Sequence, residues 1–516
     1  MRFAGNFLGK PVFVKPDAPA STVDDLRQHL SRFNLAWVLR MVGGAGADLR
    51  PDAHRDLGGV VASQQALRYI ALAAVEASSD ANQAVPQRDD ILQAVRIFDG
   101  LPDIAPATET DGVLEHLVRV AYAQFAGRDD LHNMIARTWT IYERIWPTVP
   151  KASSFDVRAA IRAEAGLSTA QMMFFGLAYL SNVAKRRDGF FRPYSYEGLL
   201  NLPSSLAVGP SEHRKFIELV SASYDDIRMM ARSLPRPPGL DQYTLSPFLV
   251  KPVLRPDAAP PGADGVYLVP VPQFLAMRVT QGVYHMLATS SNAGGGANAF
   301  KVAFGHVFEA YVVELLRQGC GTCEVVGEFE YGPRSSRKLS PDCLVLDGKR
   351  LVAVEVKQSA LPLSTKSVGD LAAMAGDLKK TLTKAARQLL TFESDVMQRA
   401  SGLENFACVS AVELLVVTHD DLAWPNWLLR EQVVKDVPGA ERGHFCTVGD
   451  LENLQRYCWG QSPFELLASK RRGPASHFDF LEWLAGLGSP DRAHPMLERI
   501  FKELTASWGL QGFEAP

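Results

Sequence analysis

Asp342, Glu355 and Lys357 bring two carboxylates and an amine together in one short segment. They sit in Ser340-Pro341-Asp342-Cys343-Leu-Val-Leu346 and Leu351-Val-Ala-Val-Glu355-Val356-Lys357, apolar runs separated by Asp347-Gly348-Lys349-Arg350, the pattern of an antiparallel hairpin. A two-residue loop at 347 and 348 would pair Asp342 with Ala353, and a four-residue loop would pair it with Glu355. In both registers Asp342 emerges on the face of Glu355 and Lys357, because strand side chains alternate with period two; Val352, Val354 and Val356 take the other face. Direct or diagonal cross-strand neighbours stand roughly 5–8 Å apart, and like charges there are destabilising unless a cation lies between them. Oxygen donors without a nearby His or Cys favour a hard ion, Mg²⁺ with Mn²⁺ as substitute, over zinc. Such an ion lowers the pKa of bound water and neutralises charge on a phosphate oxygen, and Lys357 could position the water or stabilise a pentavalent phosphorus centre.

The surrounding elements must bring further groups to this pair. In Phe304-Gly-His-Val-Phe308-Glu309-Ala-Tyr311-Val-Val-Glu-Leu-Leu316, Phe304, Val307, Phe308, Tyr311 and Leu315 fall at helical spacing. Glu309 lies beside that stripe with Val302, Gly305, Val312 and Leu316 on its own side, so a buried carboxylate is expected, paired or metal-bound. Gly305 removes a side chain where an ion or phosphate would approach. Glu328 and Glu330, on the apparent strand 324–331, are rivals for the role, and a salt-bridged helix residue is the plainer reading of Glu309. A helix around 377–390 places Lys380, Lys384 and Arg387 on one face. With Arg334, Arg337 and Lys338 before Pro341 they would frame the acidic centre with charge suited to a phosphate backbone, the alternative being a solvated helix surface.

Glu309, Pro341-Asp342, Glu355-Val356-Lys357 and the following helix with Lys384 and Gln388 resemble the PD-(D/E)XK, or restriction-endonuclease-like, nuclease superfamily over roughly residues 296–425. The resemblance implies a mixed sheet flanked by helices and one or two Mg²⁺ ions. It implies Glu309, Asp342 and Glu355 as metal ligands with the Val356 carbonyl, Lys357 as the catalytic lysine, and Gln388 or Lys384 as auxiliary. DNA is favoured over RNA because the superfamily mostly cuts DNA.

Composition is that of a globular protein, 47% hydrophobic and 22% charged over 516 residues, and about two to four domains are expected. A net charge of −3 excludes a general electrostatic attraction to nucleic acid, so binding must depend on local patches. Six cysteines make no disulfide framework, and Cys320-Gly-Thr-Cys323 has no second pair or nearby His to complete a zinc site. There is no apolar N-terminal signal segment, and Met172–Leu180 is too short to span a bilayer, so a cytoplasmic protein without membrane contact is expected. Gly294-Gly295-Gly296 is not followed by the residues of a phosphate-binding P-loop.

The expected fold is α+β and multidomain: a large all-helical region at 1–238, a strand-hairpin adaptor and helix at 239–295, the α/β nuclease domain at 296–447 and a helical C-terminal region at 448–516. Helices are expected near 22–42, 63–78, 112–126, 130–145, 155–185 and 211–232. Ser233–Gly239 reads as a linker, with strands near 247–254 and 265–271 around a Pro-Gly loop, then a helix near 272–288 and a Gly-rich stretch to 297. Lys470-Arg471-Arg472 is a basic cluster that either touches nucleic acid or lies in an exposed loop, and Trp459, Trp483 and Trp508 are expected in a core. The expectation is a metal-dependent nuclease whose helical region binds a protein partner, senses a signal or restrains the site, in a homo-oligomer or alone. Such an architecture suits a bacterial restriction or anti-phage effector. A non-catalytic scaffold on a nuclease-like fold and an RNA-cleaving enzyme are the alternatives.

Overall fold

The computed structural model describes residues 2–7, 10–14, 19–47, 55–56, 61–102, 130–186, 190–191, 206–234, 236, 240–256, 267–290, 298–358, 371–419, 430–473, 476, 478–488 and 493–509. For 2–7, 10–14, 55–56, 61, 184–186, 190–191, 371–380, 431–432 and 481–482 it describes the backbone alone. The chain is mixed α/β, and its sheets are open.

The run Arg350–Lys357 is almost uniformly apolar up to Glu355, which suits a strand covered on both sides. It is the middle of five strands, ordered Gly443–Thr447, Ala411–Thr418, Arg350–Lys357, Cys343–Asp347, Glu324–Gly327. It pairs antiparallel with Cys343–Asp347 and parallel with Ala411–Thr418, so the two halves of a mixed sheet meet on the strand that carries Glu355 and Lys357. Side-chain alternation divides the apolar residues between two cores. Cys343, Val345, Val352, Val354 and Val356 pack with Phe304, Phe308 and Tyr311 of the helix Ala299–Gly319 and Leu451 of Val448–Cys458. Leu344, Leu351, Ala353 and Val416 pack with Leu382, Ala385, Leu389 and Phe392 of the helix Leu371–Met397. The Asn298 side chain starts the first of these helices by accepting from the Lys301 N–H at 3.0 Å.

Helices dominate the first half, at Val23–Leu30, Leu35–Ala45, Gln64–Ala77, Arg88–Asp99, Leu131–Trp139, Val157–Ala165, Thr169–Arg186, Pro210–Val220 and Tyr224–Ser233. The expected helix at 155–185 is broken by Gly166, whose φ of 66° ends Val157–Ala165. That at 130–145 continues past Trp139 as a π-helical turn, Thr140–Ile145. The helix at 112–126, most of the 233–239 linker, most of the Pro-Gly loop, the 291–297 stretch and the segment after Gln358 lie outside the described residues.

The all-helical expectation for 1–238 is corrected by strands. Arg2–Phe7 pairs with Lys10–Val14, and Phe190–Phe191 and Ser221–Ser223 join Tyr267–Leu268 and Val253–Arg255 in a second sheet. Ser221–Ser223 separates two helices because Ser223 caps the second, accepting from the Asp226 N–H, and that cap requires extended backbone. The strand expected at 247–254 is confined to its end, Pro247–Leu249 being a 3-10 turn; Val253–Arg255 and Tyr267–Leu268 pair with each other, as expected, and also with strands of the N-terminal half. Packing also crosses the expected boundaries: one core joins residues from Leu26 to Leu101 with Tyr224, Leu254 and Phe274, and another runs from Leu131 through Phe174 and the sheet to Trp508. No helix among the described residues is long and apolar enough to cross a membrane.

A buried ion pair ties three distant segments of that larger core. Arg137 Nε donates to Glu452 Oε1 at 2.7 Å, its Nη2 to Oε2 at 2.5 Å, and the Tyr311 hydroxyl donates to Oε1 at 2.7 Å. Because Glu452 is fully buried, Arg137→Met leaves an uncompensated charge and is expected to cost about 3–5 kcal/mol in denaturant unfolding. His494 is also fully buried; its Nε2–H donates to Gln455 Oε1 at 2.9 Å and its Nδ1 accepts from the Leu497 N–H at 3.3 Å, so the ring is neutral. Burial, with Arg456 adding to it, pushes its pKa down to about 3. The unfolded chain, with a His pKa of about 6.5, binds the extra proton, so stability falls as pH drops from about 6.5 toward the folded value. Melting temperature is expected to decline across that window, and less steeply in His494→Asn, which retains an acceptor for the helix cap.

Candidate active site

The hairpin turns on Gly348 and Lys349, with Asp347 opposite Arg350 and Cys343 opposite Val354. Gly348 adopts φ 61°, the left-handed conformation such a reversal needs. One residue before the strand, in the same register, Asp342 falls opposite Glu355. This is the register expected of the four-residue loop, reached by a two-residue turn one position later than the 347–348 alternative.

The approach to Asp342 is fixed by Ser340, which is buried: its N–H donates to the Phe329 carbonyl at 2.9 Å, and its hydroxyl accepts from the Phe329 N–H at 2.9 Å. The Val356 N–H donates to Asp342 Oδ2 at 2.6 Å. Lys357 Nζ donates to Glu355 Oε1 and lies 3.8 Å from Asp342 Oδ2, so the three side chains share a face. Side-chain exposure rises from 2% at Glu355 through 12% at Asp342 to 20% at Lys357, which makes Glu355 the floor of the cluster; Glu309 is 37% exposed.

Burial pushes the Asp342 carboxyl up to about 7; the Glu355 charge adds to this, and Lys357 and the Val356 N–H oppose it. Burial also raises Glu355, against the pull of Lys357, with Glu328 and Glu309 raising it further. Glu355 Oε2 is buried without a hydrogen-bond partner. The two carboxylates with that open oxygen make a hard-oxygen donor set of the kind a divalent cation takes. Among the described residues no three His, Cys, Asp or Glu side chains are grouped to hold an ion alone, so water or substrate oxygens would complete the coordination, as is usual for Mg²⁺.

Glu309 is not the buried carboxylate expected. It is half-exposed, contacts His306 Nδ1 at 3.3 Å, and shares its side with an exposed Val302, because the buried stripe is turned into the core. Its charge nevertheless reaches both Asp342 and Glu355. Of its rivals, Glu328 acts on Glu355, whereas Glu330 is paired with Arg337. The room beside Gly305 is taken by the Gln358 amide, 3.6 Å from where a Cβ would stand, so it is no passage for an ion.

The basic rim is also placed differently. Leu382, Ala385, Ala386 and Leu389 take the sheet-facing side of their helix, which turns Lys384 and Arg387 outward to solvent. Arg387 reaches the Asp436 carbonyl at 3.4 Å, and the Lys380 side chain lies outside the described residues. Gln388 is on the flank of that helix with Oε1 buried and unpartnered, and among the described residues no hydrogen bond joins it to Asp342, Glu355 or Lys357. Arg334 is exposed, and Lys338 pairs with Asp395 at 2.7 Å. Lys470 is no surface cation: it is fully buried and donates to the Ser476 carbonyl at 3.2 Å, while Arg471 binds the buried Glu413 at 2.7 Å.

Sequence reasoning passed over Ser340, His306 and Gln358. His306 was legible one turn before Glu309, and Gln358 directly follows the lysine; its Oε1 is buried without a partner. Compared with family models, curated proteins and solved structures, the chain shows no match.

Two repelling carboxylates tempered by one lysine have a stability signature. In metal-free buffer Asp342→Asn, which can still accept from the Val356 N–H, is expected to stabilise the protein by roughly 1 kcal/mol. Lys357→Met is expected to destabilise it, as read by thermal or denaturant unfolding.

Proposed function

We propose that the chain is a divalent-metal-dependent nuclease of the PD-(D/E)XK type, hydrolysing phosphodiester bonds with DNA as the favoured substrate. The observation that carries this reading is the Asp342–Glu355 pair on one face of the central strand, with Lys357 bonded to it and Glu355 Oε2 left open. The order of helix 299–319, strand, hairpin, helix 371–397 and parallel strand around an open mixed sheet supports it.

Asp342, Glu355 and the Val356 carbonyl would hold Mg²⁺ or Mn²⁺, with Glu309 contributing. When bound, such an ion supplies an acidic water and charge neutralisation at phosphate oxygens. The chain's own residues do the rest. Lys357, tethered to Glu355, directs an ammonium donor to the attacking water or a phosphate oxygen. The Val356 N–H orients Asp342, and burial of Glu355 keeps the floor dry. The exposed Arg334 and the cations of its loop would meet the nucleic-acid backbone, while Lys384 and Arg387, facing outward, would contribute only to a substrate that wraps the helix. The N-terminal half is proposed to receive a partner or signal, and a role in bacterial defence is an analogy from fold.

The test is incubation of wild type, Glu355→Ala and Lys357→Ala with plasmid, linear duplex, single-stranded DNA and RNA in Mg²⁺, Mn²⁺ or EDTA. Metal-dependent cutting is expected, abolished by EDTA and slowed roughly 10²–10³-fold or more in each variant. Cutting that persists in EDTA, or that both variants retain, would overturn the proposal.

A further inference from the structure

The core that joins the first hundred residues to Tyr224, Leu254 and Phe274 brings four guanidinium groups to one cavity of about 350 Å³. Arg27 comes from Val23–Leu30, Arg228 and Arg232 from successive turns of Tyr224–Ser233, and Arg236 from just beyond that helix. Glu76, at the end of Gln64–Ala77, is the single carboxylate of the lining. It pairs with Arg27 Nη2 at 2.7 Å and Arg236 Nη2 at 2.5 Å. The outer partners offset less: Asp24 on Arg27 and Asp225 on Arg228 are 91% and 81% exposed, so their charges are solvated. Asp241 stands 3.7 Å from Arg236, and Arg232 has no ion-pair partner among the described residues.

The arrangement is held in place before any ligand arrives. Arg228 Nε donates to the Val75 carbonyl at 2.7 Å and its Nη2 to the Ser78 carbonyl at 3.0 Å, which fixes the plane of its guanidinium. The Tyr69 hydroxyl belongs to the same cluster: burial raises its pKa, Asp241 and Glu76 adding to the effect and Arg27 and Arg236 opposing it. Planar guanidinium forks match oxyanions with several acceptor oxygens; among the described residues Glu76 engages only Arg27 and Arg236, and Arg232 keeps its whole fork, so the lining holds unused donors and more guanidinium than carboxylate charge. The volume lies at the lower end of small-molecule sites, about 300–1,000 Å³.

We infer that this cavity binds a small phosphate-bearing ligand of about mononucleotide size, recognised through its phosphate by Arg232, Arg236, Arg27 and Arg228. The site is built by residues other than those of the Asp342–Glu355 cluster and stands whether or not that cluster cuts nucleic acid. Binding would tie the helix bearing Arg228 and Arg232 to Val23–Leu30 and Gln64–Ala77, which gives the N-terminal half a way to respond to a small anion.

The 516-residue chain in EDTA is titrated by calorimetry with ATP, AMP, tripolyphosphate, adenosine and citrate, with melting temperature read in parallel. Saturable binding of ATP, AMP or tripolyphosphate with a rise in melting temperature is expected, with adenosine and citrate inert. Arg232→Glu, at an exposed and unpaired position, should keep the circular dichroism of wild type and bind about tenfold more weakly or worse. Arg236→Gln should also weaken binding, and Asp342→Asn should leave it unchanged. The inference is overturned if no phosphate probe binds at millimolar concentration, if citrate or adenosine binds as tightly, if both arginine variants bind like wild type, or if Asp342→Asn abolishes binding.

Discussion

Two carboxylates placed side by side in a poorly hydrated pocket repel each other and lose solvation together, and the hairpin register forces this on Asp342 and Glu355. The Val356 N–H on one oxygen of Asp342 and the Lys357 ammonium on one oxygen of Glu355 relieve part of the strain and leave the other Glu355 oxygen unpartnered. The pair needs a strand buried on both faces, because an edge strand would let water screen both charges. That requirement explains why the strand lies in the middle of the sheet, with one neighbour antiparallel and the other parallel.

The rest of the chain serves that burial. Alternation along Arg350–Lys357 sends Val352, Val354 and Val356 into the core shared with Ala299–Gly319, and Leu351 and Ala353 into the core under Leu371–Met397, so both helices are pinned by the strand that carries the acids. The Arg137–Glu452–Tyr311 network then fastens an N-terminal helix, the helix of Glu309 and a C-terminal helix to one another with three charge-assisted bonds in a dry interior. The helix that carries Glu309 is thereby anchored by packing that begins more than a hundred residues earlier in the chain.

The strand alternation and the shared face of Asp342, Glu355 and Lys357 were legible because a period of two is local. The sequence is compatible with two loop lengths, and the turn at Gly348-Lys349 selects the register. Long-range matters were less visible. The spacing of Lys384 and Arg387 showed that they share a face without showing that the apolar residues between them would claim the sheet-facing side. Glu309 reads as buried because its neighbours are apolar, and Val312 and Leu316 on its side are covered, yet Val302 is exposed and the Glu309 carboxylate itself is half-exposed. The strand Ser221–Ser223 was hidden inside a helical pattern, since its pairing partner at Val253–Arg255 is distant and its extended backbone follows from a cap, not from hydrophobic period. Lys470 read as surface charge, although its ammonium is satisfied by backbone carbonyls in the interior.

Direct titration of metal-free protein with Mn²⁺, followed by electron paramagnetic resonance or calorimetry, bears most closely on the carboxylate pair. A hard-cation site built on Asp342 and Glu355 predicts saturable Mn²⁺ binding by wild type, competed by Mg²⁺ and lost in folded Asp342→Asn and Glu355→Gln. Undiminished binding in both variants, or none in wild type, would contradict it.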